Sequence, residues 1–167
     1  MFRDNEDFEY YLSKLKQFKK KYKVAILGYC LISNHYHLFL KQLSDISINK
    51  FLLAVNTSYG NYFNKKYGRV GYLTQDRYKQ SIIKSDEQFD WIAVYVNCNY
   101  ELHGLGSAKD YEWSSYRDYL GLRQGAICDI TEVSGRFENI EEFEKFCDET
   151  VKEIKEKKMW EKMDDDL

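Results

Sequence analysis

Two histidines separated by a single residue, His35 and His37, directly follow a strongly apolar stretch of the chain. The stretch from Val24 to Ile32 is rich in branched and aromatic residues, which predicts a buried strand, and residues 36–40 predict its hairpin partner. Because side chains alternate between the faces of a strand, His35 and His37 should point the same way, about 7 Å apart at their Cα atoms. Two imidazoles in this arrangement can bind one metal ion. The alternative is that both are ordinary polar residues at a strand end.

A second candidate pair is Tyr95 and Asn99. Residues four apart on a helix face the same patch, so Tyr95 can present its hydroxyl where Asn99 presents a carboxamide oxygen as a third metal ligand. A phenol is mostly protonated near neutral pH and becomes a useful nucleophile when a metal polarises its target or a base removes its proton. The alternative for Tyr95 is a core aromatic residue, since the chain contains 15 tyrosines. His103 has no partner in this pattern and is interpreted as structural or exposed.

Basic residues alternate with aromatic ones between residues 69 and 84. Such a surface can bind phosphates and stack on bases, although an ordinary solvated strand face fits the composition equally well. The residues predicted to make contacts of this kind are Lys65, Lys66, Arg69, Arg77 and Lys79.

Charge is unevenly distributed along the 167 residues. Residues 1–124 contain 18 Lys/Arg and 13 Asp/Glu, whereas residues 125–167 contain 7 and 14. A mildly basic body with an acidic tail is compatible with a nucleic-acid partner but does not require one. We therefore predict a main domain over 1–124 and an acidic helical tail over 125–167.

Hydrophobic periodicity predicts the elements that position these residues. It predicts helices over 4–21, 46–67, 85–102 and from 140 onward, with a strand or loop-strand over 69–84. Gly68 is the predicted stop of the second helix. No apolar stretch is long enough to cross a membrane, no signal peptide opens the chain, and the four scattered cysteines suit reduced thiols of a cytoplasmic protein.

Several ordered blocks of the sequence are similar to a known family. Over roughly residues 1–119, the chain resembles the HUH single-tyrosine transposases, and among them the REP-associated tyrosine transposases of bacteria (transposase IS200-like). The blocks that carry the resemblance are Gly28-Tyr29-Cys30-Leu31-Ile32-Ser33-Asn34-His35-Tyr36-His37-Leu38, Asn56-Thr57-Ser58-Tyr59, Tyr62-Phe63-Asn64, Gly71-Tyr72-Leu73-Thr74-Gln75-Asp76-Arg77-Tyr78-Lys79 and Tyr111-Glu112-Trp113-Ser114-Ser115-Tyr116.

This resemblance implies a role for each candidate residue. It implies that His35, His37 and Asn99 bind a divalent metal, Mg²⁺ or Mn²⁺, and that Tyr95 is the nucleophile. The implied reaction is the cutting of single-stranded DNA near hairpins through a 5′-phosphotyrosine intermediate. The implied fold is a ferredoxin-like α+β sandwich, in which helices cover an antiparallel sheet, here with the acidic C-terminal helix added.

The sequence departs from the family pattern in two places. Tyr100 stands where the family usually has proline. The chain also starts close to the segment that follows the family's first strand, so that strand is expected to be missing and an edge of the histidine strand to be open. Three explanations compete: a start codon assigned too late, a decayed gene copy, or a partner chain that completes the sheet. Of these we favour the partner chain and expect a homodimer. Two other functions stay open: a degenerate, non-catalytic protein that binds hairpin DNA, and a metal-dependent hydrolase without covalent catalysis.

Overall fold

The computed structural model describes residues 1–73 and 78–165 and has an α+β architecture. The predicted class, an antiparallel sheet with helices packed on it, is confirmed. In chain order, the elements are α1 (Asn5–Lys21), β1 (Val24–Ile32), β2 (His35–Gln42), α2 (Ile48–Tyr67), α3 (Asp86–Asn97), α4 (Asn99–Leu102), α5 (Tyr116–Tyr119), α6 (Thr131–Ser134) and α7 (Ile140–Asp165).

The ends of the first two helices follow from local chemistry. The Asp4 side chain caps α1 by accepting a hydrogen bond from the backbone N–H of Asp7, at 3.1 Å. Helix α2 ends at Gly68, whose φ of +62° lies in the left-handed region and whose N–H donates to the carbonyl oxygen of Asn64. Both helices therefore begin and end close to where the sequence predicts.

Strands β1 and β2 form an antiparallel hairpin in which Cys30 is opposite His37. Tyr36 and Leu38 pack into the core cluster that contains α1 and α2, whereas Phe39 packs with residues of α3. Since side chains alternate along a strand, the two histidines lie on the face that carries Phe39. The candidate metal ligands of β2 therefore face helix α3.

The edge of β1 that does not pair with β2 is covered by residues 111–129, which we call the edge segment. The Ser115 N–H donates to the Tyr29 carbonyl oxygen at 2.9 Å, and the Leu31 N–H donates to the Trp113 carbonyl oxygen at 2.9 Å. The Tyr111 hydroxyl donates to the Leu31 carbonyl oxygen at 2.5 Å. In the described part of the chain, β2 has β1 as its only strand partner, so β2 is an edge strand, and a homodimer stays a prediction.

Two predicted elements differ from the structure. Residues 69–73 and 78–84, predicted as a strand or loop-strand, have neither helix nor strand structure. Val70 and Tyr72 are 95% and 96% exposed, and only Leu73 and Ile83 pack against the core, so the described part of this stretch has no continuous buried face on which a strand could pack. The helix predicted over 85–102 is interrupted at Cys98, with φ −99° and ψ 13°.

The interruption at Cys98 separates α3 from α4 without changing the course of the backbone. The Cys98 N–H still donates to the Val94 carbonyl oxygen at 2.8 Å, and the Leu102 N–H donates to the Cys98 carbonyl oxygen at 3.0 Å. These bonds have the four-residue spacing of an α-helix. Tyr95 on α3 and Asn99 on α4 therefore remain on neighbouring turns.

The acidic C-terminal helix α7 packs against α3. Phe143, Cys147 and Val151 lie in the same buried cluster as Val94. The division into a domain over 1–124 and a tail over 125–167 stays a prediction. Although α7 has 26 residues, neither it nor another helix in the described ranges combines the length and apolar character that crossing a bilayer requires.

Candidate metal centre and nucleophile

The chain contains three histidines, and all three meet at one place. The possible ligand atoms of His35, His37 and His103 lie within 4.8 Å of one another. The ring centroid of His35 is 5.0 Å from that of His37 and 4.9 Å from that of His103. Two rings come from β2 and the third follows directly after α4, so the cluster joins the sheet to the helical layer.

Tyr95 lies beside this histidine cluster. Its ring centroid is 5.4 Å from that of His37, and the two rings are nearly perpendicular at 87°. On its other side Tyr95 stacks on Trp91, at 5.0 Å between centroids and 11° between planes. The predicted nucleophile and the predicted histidine ligands are therefore neighbours on one face of the sheet.

Asn99 is completely buried, and its side chain interacts with His35 of this cluster. Within the described residues, neither the oxygen nor the nitrogen of its carboxamide makes a hydrogen bond of ordinary geometry. Buried polar groups are normally paired, because leaving one unpaired costs about 1–3 kcal/mol. A carboxamide oxygen next to imidazoles is a suitable donor for a divalent cation. The residues present therefore fit a bound metal ion.

The comparison with known families agrees with this arrangement. A family model described as "Transposase IS200 like" matches residues 1–99, more than half of the chain. The chain belongs to this transposase family. No curated protein and no solved structure matches it significantly. The matched range includes β1, β2, Tyr95 and Asn99 but ends before His103.

The surroundings of His35 in this transposase favour its metal-binding form. Burial is the main cause that lowers the pKa of His35, and the nearby His103 lowers it further, while the Asn99 side chain has a smaller, opposite effect. Neutral imidazole is the form that binds metals. The Nδ1 atom of His35 lies 2.7 Å from Oδ1 of Asn34. The tautomer with its hydrogen on Nδ1 satisfies this contact, because an amide oxygen accepts, and it leaves the lone pair of Nε2 available for a ligand bond.

A buried hydrogen-bond network fixes helix α3 to the sheet. Oγ of Ser115 accepts from the Tyr29 N–H at 2.8 Å and donates to Oδ1 of Asn97 at 2.5 Å. The Nδ2 group of Asn97 donates to the Ala93 carbonyl oxygen at 2.9 Å. Ser115 and Asn97 are both fully buried. The network thus connects β1 to the last turn of α3, where Tyr95 lies.

The predicted DNA-contacting cations have different environments. Lys66 binds the carboxylates of Asp4, Glu6 and Asp7 at 2.7, 3.0 and 3.1 Å, so its charge is used within the fold. Lys65, Arg69 and Lys79 are exposed. The Arg69 guanidinium also lies 5.7 Å from the centroid of the Phe63 ring. Arg77 lies outside the described residues, and DNA contact by this whole set stays a prediction.

His103 is the residue of the cluster that the sequence interpretation did not include. Its position in the sequence gives one indication of a shared site, since Tyr95, Asn99 and His103 follow one another at intervals of four residues. Residues at this spacing share one helix face. Sequence spacing alone could not show that the third member of this row reaches the histidines of a hairpin more than 60 residues earlier.

Proposed function

We propose that this IS200-like transposase cuts and rejoins single-stranded DNA near hairpins through a 5′-phosphotyrosine on Tyr95. In this proposal His35, His37 and Asn99 hold a divalent cation, Mg²⁺ or Mn²⁺. The observation that carries it is the contact of the Tyr95 ring with the His37 ring, beside a buried carboxamide without an ordinary hydrogen-bond partner. A core aromatic residue would not need metal-binding groups as neighbours.

The reaction exchanges one ester of phosphorus for another. The Tyr95 oxygen forms a bond to phosphorus while the bond from phosphorus to the 3′ oxygen breaks. Tyr95 gives up its phenolic proton, and the departing 3′ oxygen takes up a proton. A divalent cation supplies charge stabilisation on the phosphate when it is bound. The ester energy is retained in the phosphotyrosine, which suits strand transfer better than hydrolysis.

The neighbours of Tyr95 support this role. Stacking on Trp91 and contact with His37 restrict the orientation of the phenol, which lowers the entropic cost of reaching the reactive geometry. Trp91 remains 40% exposed, so part of the indole is available for an unpaired base. Lys65, Arg69, Arg77 and Lys79 are the proposed phosphate contacts.

The experiment is a Tyr95→Phe substitution with Tyr100→Phe as its matched control. Tyr100 lies on the next helix, α4. Its ring stacks on that of Tyr111, with 3.6 Å between the ring centroids, and not on a ring of the histidine cluster. Each protein is incubated with a hairpin-bearing single strand and Mn²⁺, and denaturing gels are scored for a protein–DNA adduct. We expect the adduct with the unmodified protein and with Tyr100→Phe, and its complete loss with Tyr95→Phe while DNA binding remains.

Other outcomes identify the competing functions. Cleavage that Tyr95→Phe leaves unchanged would indicate a metal-dependent hydrolase that uses the histidines without a covalent intermediate. Hairpin binding by the unmodified protein, without cleavage or adduct, would indicate a degenerate binding protein on the same fold.

A further inference from the structure

His103 is positioned by its backbone at the end of α4. Its N–H donates to the carbonyl oxygen of Asn99 at 3.1 Å, and the following Gly104, with φ +69°, turns the chain away. Helix α4 is itself anchored by the buried side chains of Asn99 and Leu102. The His103 imidazole is exposed, but the backbone that carries it is fixed next to the candidate metal centre.

The contacts of His103 are with the metal-binding rings. Its centroid is 4.9 Å from that of His35, about the separation between His35 and His37. In the described ranges, these three side chains are the one group of three or more histidine, cysteine or acidic residues near enough to share a cation. The chain has only three histidines, and their meeting at one point is best explained by a metal ion that all three bind.

We infer that His103 is a third histidine ligand, and that the centre selects first-row transition ions over Mg²⁺. This inference rests on the proposed function and specifies its cofactor. Imidazole nitrogen suits Zn²⁺, Ni²⁺ and related ions, whereas Mg²⁺ prefers oxygen donors and retains water. Two imidazoles and an amide would accommodate either class of ion. A third imidazole moves the donor set towards the transition metals.

The first test is calorimetric titration of the full chain with CoCl₂, MnCl₂ and MgCl₂ in the absence of DNA. We expect Co²⁺ to bind more tightly than Mn²⁺, and both to bind more tightly than Mg²⁺, following the usual order of affinities. His103→Gln should weaken Co²⁺ binding by at least about 10-fold, because loss of a residue that only orients a ligand already costs about 10- to 100-fold, and it should change Mg²⁺ binding much less. Tyr100→Phe is the matched control, since it changes the same short helix without removing a ligand.

A second variant tests the ligand position directly. His103→Cys places a thiol where the imidazole stood, and a thiolate bound to Co²⁺ adds a near-ultraviolet charge-transfer band that imidazole lacks. The unmodified protein, which retains its four cysteines, provides the background spectrum. We expect the band in His103→Cys alone. Metal-free thermal unfolding of both variants should match that of the unmodified protein, because the His103 ring is exposed.

The outcomes separate this inference from the proposed function. Equal Co²⁺ affinity in the unmodified protein and His103→Gln, without a new band in His103→Cys, would overturn the role of His103 and leave the two-histidine centre intact. Mg²⁺ binding as tight as Co²⁺ binding would overturn the selectivity. If the unmodified protein binds none of the three ions, the proposed metal-dependent reaction fails, and this inference fails with it.

Discussion

Replacing Ser115 with alanine should loosen the attachment of helix α3 to the sheet. The substitution removes one oxygen that accepts from the Tyr29 N–H at 2.8 Å and donates to Oδ1 of Asn97 at 2.5 Å. Both partners are buried, and alanine offers neither a donor nor an acceptor. The Tyr29 N–H and the Asn97 oxygen would each lose a partner that water cannot easily replace.

The expected cost follows from those two groups. An unsatisfied buried polar group costs about 1–3 kcal/mol, so two of them cost about 2–5 kcal/mol once partial relaxation is allowed. Single domains have a free energy of unfolding of only about 5–15 kcal/mol. With a urea dependence of about 2 kcal/mol per molar, the unfolding midpoint should fall by about 1–2.5 M.

The assay is equilibrium urea unfolding followed by circular dichroism, with Ser13→Ala as the matched control. Ser13 is exposed on α1, and its hydroxyl donates only to the Tyr10 carbonyl oxygen, so its loss should shift the free energy of unfolding by less than about 0.5 kcal/mol. Combining Ser115→Ala with Asn97→Ala should cost less than the sum of the single substitutions, because both remove the same bond. A change below about 0.5 kcal/mol for Ser115→Ala, or strict additivity, would refute the assignment of this network.

Two further predictions concern the ion pairs of Lys66 with the α1 region and the exposed cation Lys65 beside it. Hydrogen bonding to Lys66 is the main cause that lowers the pKa of Asp4 from 3.8, so this carboxylate stabilises the fold above that pH and the contribution disappears as the pH falls through the lowered value. Asp4→Asn keeps a capping side chain, so urea unfolding should show it less stable than the unmodified protein at pH 7, by a difference that shrinks as the pH falls below 3.8; a constant difference would contradict the ion pair. Lys65→Ala should weaken single-strand DNA binding and reduce its salt slope by about 1, measured by fluorescence anisotropy at several salt concentrations. Lys66→Ala should mainly lower the urea midpoint, and the reverse pattern would show that Lys66 is the DNA contact.

Features set by local chemistry could be predicted from the sequence. The cap at Asp4 and the left-handed stop at Gly68 depend on residues within one helical turn. The common face of His35 and His37 follows from the period of a strand. Tyr95 and Asn99 kept their proximity through the break at Cys98, because the four-residue hydrogen bonds continue on both sides of it.

Features that depend on distant contacts could not be predicted. His103 joins the cluster because the end of α4 reaches a hairpin far away in sequence. Lys66 resembles a phosphate contact in sequence, but three carboxylates of the α1 region, about 60 residues earlier, surround its charge. Ser115 accepts a hydrogen bond from the backbone N–H of Tyr29 in β1, although the two residues are 86 positions apart in the sequence. The four-residue spacing shows only that His103 shares a helix face with Asn99, and the contacts between distant segments leave no signal of their own in the sequence.

The edge segment is synthesised after the hairpin whose β1 edge it covers, so this edge is exposed while the chain is being made. A ribosome produces every histidine and Tyr95 before it reaches Trp113, so the nascent chain holds all the residues of the candidate site while β1 still lacks hydrogen-bond partners on one side. During that interval the Tyr29 and Leu31 backbone is a template for any other strand nearby. A fragment that ends at residue 99, where the family match ends, would leave this edge of β1 without hydrogen-bond partners. We expect such a fragment to self-associate through the unpaired edge.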